Sequence, residues 1–275
     1  MWFFVLRASF CLSLFGSLPF LMPHRIRIPP ALISVEHRTE WETPSIAPDL
    51  FNILALQKWT YFARGNQAYV FESQDGQYVL KLFRYRFTRF PCLHVCKNVF
   101  HKKPKDSFAV KIHKTAFAAK IAGTEAEKFT QVLFCHLNLT HGTLPIAHLE
   151  IPSGTYDVPL DRLRFVLQKK VTSFVPAFLE ARQDPLKMRA MIHSFVDLLK
   201  ERASLGILNS DPNVLPNYGF LETSAVEMDF GNYRKSQDPQ KQKDEFRRKT
   251  FLLRNWLYFN APEYVNYISE LIIDI

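Results

Sequence analysis

The sequence predicts an α+β protein, with strands gathered early in the globular region and helices late. Three observations carry this. Segments 67–72 and 77–83 read as strands joined at Ser73-Gln74-Asp75-Gly76, and Asp-Gly is a strong hairpin signal. Met188, Met191, Ile192, Phe195, Leu199 and Leu205 recur at helical spacing between Asp184-Pro185 and Gly206, the usual start and stop residues of a helix. Apolar residues make up 47% of the 275 and charged residues 22%, which favours a packed core over disorder.

The remaining elements follow in order. Residues 1–22 are apolar with Arg7 as the single charge. Three readings stay open for them: a membrane anchor, an export signal, or a mis-called start with Met22 as the true one. Arg25 and Arg27 after the stretch favour a cytoplasmic C-terminal side. Residues 23–50 hold five prolines and read as an extended linker. A basic, aromatic insertion occupies 84–112. A helix is expected over 113–137, where Phe117, Ile121, Glu125, Phe129 and Val132 or Leu133 share one stripe. Strands are expected at 143–151, 163–171 and 224–228, and helices at 238–258 and 262–273. The division expected is an N-terminal part over 51–171 and a C-terminal part over 172–275.

The formal net charge is +9. Between Arg84 and Lys120 ten Lys/Arg face one acid, Asp106, so this segment alone matches the excess of the whole chain. A basic surface suits an anionic membrane, a phosphate-bearing substrate or nucleic acid. For 84–120 the expected partner is an anionic substrate or an anionic membrane surface, and nucleic acid is disfavoured, since a basic edge strand explains Phe83 to Phe90 without it. Cys11, Cys92, Cys96 and Cys135 are too scattered for a disulfide scaffold, and Cys92, His94, Cys96, Cys135 and His136 match no common zinc spacing.

Chemistry enters through three spaced motifs. Arg64-Gly65-Asn66-Gln67-Ala68-Tyr69-Val70-Phe71 leads into Tyr78-Val79-Leu80-Lys81-Leu82-Phe83, which puts a lysine on a strand. Asn209-Ser210-Asp211 follows the long helix, with Asn213 and Asn217 close behind. Met228-Asp229-Phe230-Gly231 ends the strand after that. Phosphoryl transfer needs a cation on the phosphates, carboxylate and amide oxygens on magnesium, and a group that orients the attacking hydroxyl. Glu125, placed by its stripe among apolar residues, needs a partner, and Lys81 is the expected one.

Over roughly 50–275 this order resembles the two-lobed protein-kinase-like superfamily, and within it the small bacterial kinases related to lipopolysaccharide-core sugar kinases and aminoglycoside phosphotransferases. The resemblance implies an antiparallel-sheet N-lobe and a shortened, mainly helical C-lobe. It implies ATP and Mg2+ as cofactors, with Gly65, Ala68 and Val70 over the phosphates, Lys81 on the α- and β-phosphates, and Glu125 paired to Lys81. Gln168 would lie at the adenine, Asp211 would act on the acceptor hydroxyl, and Asn217 and Asp229 would hold the metal. Pro216 stands where the metal-binding Asn usually falls, so Asn217 sits one residue late and Asn213 is a rival. The short stretch after Gly231 points away from a peptide substrate and toward a small-molecule, sugar or lipid-linked acceptor. The competing readings are a pseudokinase that binds or regulates, and a basic membrane- or nucleic-acid-binding protein.

Overall fold

The hairpin predicted around Asp75-Gly76 forms the centre of the sheet. In the computed structural model, which describes residues 37–65, 67–84 and 108–273, β2 (Ala68–Ser73) and β3 (Tyr78–Phe83) pair antiparallel with Val70 opposite Lys81. Gly76 takes φ +71 at the turn, a conformation open to glycine without steric cost. Asp75 Oδ1 accepts the Gln77 N–H at 3.0 Å and the Ser73 hydroxyl at 2.6 Å, which fixes the turn.

Around this hairpin stand β1 (Lys58–Arg64), β4 (Val132–His136), β5 (Ile146–Ile151), β6 (Gly154–Pro159) and β7 (Phe165–Lys169), in the order β4-β7-β3-β2-β1-β5-β6. Neighbours run antiparallel except β1 and β5, which are parallel, so the sheet is mixed where an antiparallel one was expected. Helix α1 (Pro48–Leu56) precedes β1, and Leu54 and Trp59 are fully buried beside each other through an indole N–H bond to the Leu54 carbonyl. Part of the stretch read as linker is packed: Trp41 ends a 3-10 turn over Thr39–Trp41 and is 2% exposed, with Arg38 and Arg164 over its ring.

The expected single helix over 113–137 is three elements. Helix α2 (Phe108–Thr124) stops at Glu125, a one-turn α3 (Glu127–Thr130) follows, and Gln131 at φ +56 turns the chain into β4. The apolar residues at 132 and 133 fit a helical stripe, but the ladder to β7 takes them into the sheet, a case of tertiary pairing overriding local pattern. Gly123 makes this return possible. A Cβ there would come within 2.7 Å of Cys135 Sγ on the returning strand.

The two long helices of the second half match expectation closely, a helix before them was not expected, and the one expected over 262–273 begins as a 3-10 turn. Helix α4 (Phe174–Ala181) precedes α5 (Pro185–Ser204), whose cap Asp184 accepts the Leu186 and Lys187 N–H groups at 3.0 Å. Helix α6 (Pro239–Asn260) is capped by Asp238 in the same way, and α7 (Val265–Leu271) follows a 3-10 turn at Pro262–Tyr264. Their core is aromatic: Phe174, Phe178, Phe195, Phe220 and Trp256 meet at centroid distances of 4.7–6.3 Å. Two small sheets complete the helical layer. One holds β8 (Thr172–Ser173), β10 (Tyr218–Leu221) and β11 (Ser224–Glu227), and the other pairs β9 (Ile207–Asn209) with β12 (Tyr233–Lys235). The ends of β9 and β11 deliver Asn209-Ser210-Asp211 and Met228-Asp229 to one place.

Candidate functional site

A cavity of about 390 Å³ lies where the large sheet faces the ends of β9 and β11. Gly65, Ala68, Val70, Lys81, Gln168, Asp211 and Asp229 line it, so seven of the nine residues singled out in the sequence converge on one wall or another. They come from the turn after β1, from β2, β3 and β7, and from the loops after β9 and β11. Val79, Val171, Met228 and Phe230 add an apolar lining.

Lys81 reaches across from β3 to donate to the Met228 carbonyl at 2.6 Å, with its ammonium 5.2 Å from the Phe230 ring centroid. Burial pushes its pKa down to about 8, against the opposing pull of the Asp229 carboxylate. Asp229 is exposed and its Oδ1 accepts the Gly231 N–H at 3.0 Å, a local turn that aims the carboxylate. Asp211 is half-buried, and its Oδ1 accepts both the backbone N–H and the side-chain amide of Asn213 at 2.9 Å. Asn213 therefore serves Asp211.

Two expected members stand apart. Glu125 does not pair with Lys81. It is exposed just past the end of α2 and forms its ion pair with Lys235. The stripe that placed it inward assumed that the helix continues, whereas α2 ends at Thr124 and buries Ile112, Ala116, Ala119 and Ala122. Thr115 is the α2 residue that lines the cavity. Asn217 is buried behind the wall that Pro216 contributes. Its carbonyl accepts the Met228 and Asp229 N–H groups at 2.7 and 3.3 Å, and its amide nitrogen has no partner among the described residues.

The orphaned group is an N–H donor and so no ligand for a cation, which leaves the Asp229 and Asp211 carboxylates as the oxygen groups of the cavity suited to magnesium. Mg2+ is commonly held by one or two carboxylates plus water and substrate phosphate rather than by an all-protein cage. Among the described residues no group of three or more His, Cys, Asp or Glu suited to a metal occurs. The Cys92-Leu-His94-Val-Cys96 stretch, the segment 1–22 and most of the basic insertion lie outside them. Cys135 is buried, its thiol pKa is pushed up to about 12 by desolvation, and its S–H donates to the Ala119 carbonyl at 3.2 Å.

The chain was compared with known proteins. No protein-family profile matches it, and no curated protein matches it. Among solved structures it is similar to WbdD in a co-crystal with the kinase inhibitor LY294002, at a TM-score of 0.36 and 13% identity over 74% of this chain. A second crystal structure of WbdD gives 0.37 and 14% over 78%. This chain spans 37% of the length of each of those chains.

Beneath the cavity lies a buried charge cluster that the sequence reading missed. Arg202 of α5 donates to both oxygens of Glu227 at 3.0 and 3.2 Å and to Glu245 of α6. Lys249 lies 3.6 and 3.7 Å from the same two carboxylates, so two cations balance two anions. Tyr218 and Tyr233 donate to Glu227 at 2.6 and 2.7 Å. Asn209 donates its backbone N–H to Glu245 and its side-chain amide to Glu227. Burial alone would raise the Glu227 pKa, but Arg202 and Lys249 outweigh it and hold it low. A legible signal existed: Arg202 falls on the buried stripe of α5, and Glu245 and Lys249 sit four apart among the apolar positions of α6.

A closing contact was also missed. Gln67, on the turn between β1 and β2, lays its carboxamide over Gly231, where a Cβ would collide with it. Gly65 and Gly231 line the same cavity.

Proposed function

We propose that this chain is an ATP- and magnesium-dependent phosphotransferase acting on a small-molecule, sugar or lipid-linked hydroxyl. The observation that carries the reading is the convergence of Lys81, Asp211 and Asp229 on one apolar-walled cavity from three separate elements. Each has a chemical task. The Lys81 ammonium would lie against phosphate oxygens, where a desolvated cation acts more strongly than in water. Asp211 would hold the acceptor hydroxyl in line and take its proton as oxygen attacks the terminal phosphorus and ADP leaves. Asp229 would hold magnesium together with water and phosphate oxygens, and the metal would supply charge neutralisation on the phosphates when bound. Val70, Val79, Val171 and Met228 would flank the base. A requirement for ATP sets the work in the cytoplasm. Among the described residues no helix is long and apolar enough to cross a membrane.

One observation favours a second reading. Lys81 lacks the Glu125 partner, and Asn217 stands outside the cavity lining. A pseudokinase that binds nucleotide without turnover would tolerate both.

One experiment separates these. The thermal midpoint of the wild-type chain and of Asp229→Ala is measured with and without ATP and magnesium, followed by a single-turnover assay for ADP. A magnesium-dependent rise lost in the variant supports the nucleotide site. Accompanying ADP release identifies the transferase, and its absence identifies the pseudokinase. No rise at saturating nucleotide sinks both.

A further inference from the structure

The outer face of α6 carries an arrangement that catalysis does not use. The inner face of this helix buries Glu245, Phe246, Lys249, Thr250, Leu253 and Leu257. The outer face exposes Phe251 at 57%, Tyr258 at 62% and Phe259 at 73%, together with Arg247, Arg248 and Arg254. Among the described residues none of these three guanidiniums has an ion-pair partner. Asp244 is the single exposed acid in the helix, and Gln240 donates to it at 2.7 Å.

The placement around the helix is regular. With about 100° between successive residues, Arg247 and Arg254 fall along one edge of a stripe and Arg248 along the other. Phe251 and Tyr258 lie between them, and Phe259 packs edge-on against Tyr258 at 5.1 Å. From Arg247 to Tyr258 the stripe is about 16 Å long. Clustered rings that each leave more than half their surface in water are costly in a monomer unless something covers them.

We propose that this face docks on the surface of an anionic phospholipid bilayer. A helix exterior is convex, so it cannot enclose a small molecule but can lie on a plane. Aromatic rings favour the headgroup level, where one part is apolar and the rest wet. The flanking guanidiniums match lipid phosphates in charge and in geometry. Stacking on nucleic-acid bases needs open ring faces, and Tyr258 spends part of its ring surface on Phe259. The docking surface is independent of the proposed catalysis.

The test is co-sedimentation of the full chain with vesicles of phosphatidylcholine alone or mixed with phosphatidylglycerol. Salt-sensitive binding to the mixed vesicles is expected, with little to the neutral ones. Arg247→Glu/Arg248→Glu/Arg254→Glu is expected to weaken it by at least about tenfold, since each basic residue near an anionic surface contributes separately. Phe251→Ser/Tyr258→Ser/Phe259→Ser, which keeps the charges, is expected to weaken it as well. Both variants change exposed side chains only, and an unchanged thermal midpoint verifies the fold. The proposal is overturned if the wild-type chain binds neither vesicle or both equally. It is equally overturned if neither variant loses binding, or if RNA binds more tightly and is lost in the same variants.

Discussion

The Asn209 carboxamide donates to the Asp229 carbonyl at 2.9 Å, while its oxygen accepts the Asp211 N–H at 3.0 Å. One buried side chain thus sets the spacing between the two carboxylates proposed for chemistry. Asn209→Ala would leave the Asp229 carbonyl and one Glu227 oxygen short of a donor. A loss of about 1–3 kcal/mol is expected in urea denaturation. The magnesium-dependent thermal shift with ATP should fall further than that loss accounts for, because the carboxylates lose their common tether. A shift that follows stability alone would assign Asn209 a purely structural role.

The cluster around Arg202 makes a separate prediction. Arg202→Met leaves Glu227 and Glu245 facing Lys249 alone, and breaking a buried pair from one side typically costs about 3–5 kcal/mol. Glu227→Gln keeps the shape but removes one anion, leaving two cations with Glu245. Acid should find the same weakness in the wild type. The lowered Glu227 pKa means its stabilising contribution is present above the ordinary value of 4.5 and is lost as pH falls through the folded one. Denaturation midpoints between neutral pH and acid should therefore fall more steeply in the wild type than in Glu227→Gln.

Lys81 gives a slope of the same sign in the alkaline range. Its folded pKa of about 8 lies below the ordinary 10.5, so the unfolded chain binds more protons between those values and stability rises with pH across that window. Below pH 8 the buried ammonium costs on the order of 3 kcal/mol relative to the neutral amine. In Lys81→Met the rise should vanish. Nucleotide affinity should move the other way and weaken above pH 8, since phosphate needs the charged form. Calorimetric titration across this range checks both parts of the argument.

Two glycines should respond differently to alanine. At Gly231 the obstacle is the far end of the Gln67 side chain, which can swing aside. Gly231→Ala is expected to cost less than about 1 kcal/mol, and the cost should disappear in a Gln67→Ala background. At Gly219 the new Cβ would lie 2.5 Å from the Thr172 carbonyl oxygen, part of a paired backbone that cannot move alone. Gly219→Ala should destabilise by at least about 1–3 kcal/mol through overpacking. Equal costs at the two sites would refute the distinction.

Local pattern was enough to find the Asp75-Gly76 hairpin, the strand position of Lys81, and the bounds of α5 and α6. Turn chemistry, side-chain alternation and caps act over a few residues, and the chain carries them wherever it folds. The same reasoning failed at 113–137, where a helical stripe ran past Thr124 into residues that pair with β7. It also failed for β1 and α1, whose short patterns take meaning from Trp59 and Leu54 packing together.

The sequence by itself determined the candidates for the proposed phosphate, metal and hydroxyl roles: Lys81, Asp211 and Asp229 were visible as types at workable spacings. Only the tertiary structure decided their company. It gave Lys81 the Met228 carbonyl instead of Glu125, sent Glu125 to Lys235, set Asn217 behind the wall, and gathered Arg202, Glu227, Glu245 and Lys249 under Asn209. The physical reason is that periodicity fixes how a side chain faces within its own element. The partner across a core depends on which elements pack together and where each one ends.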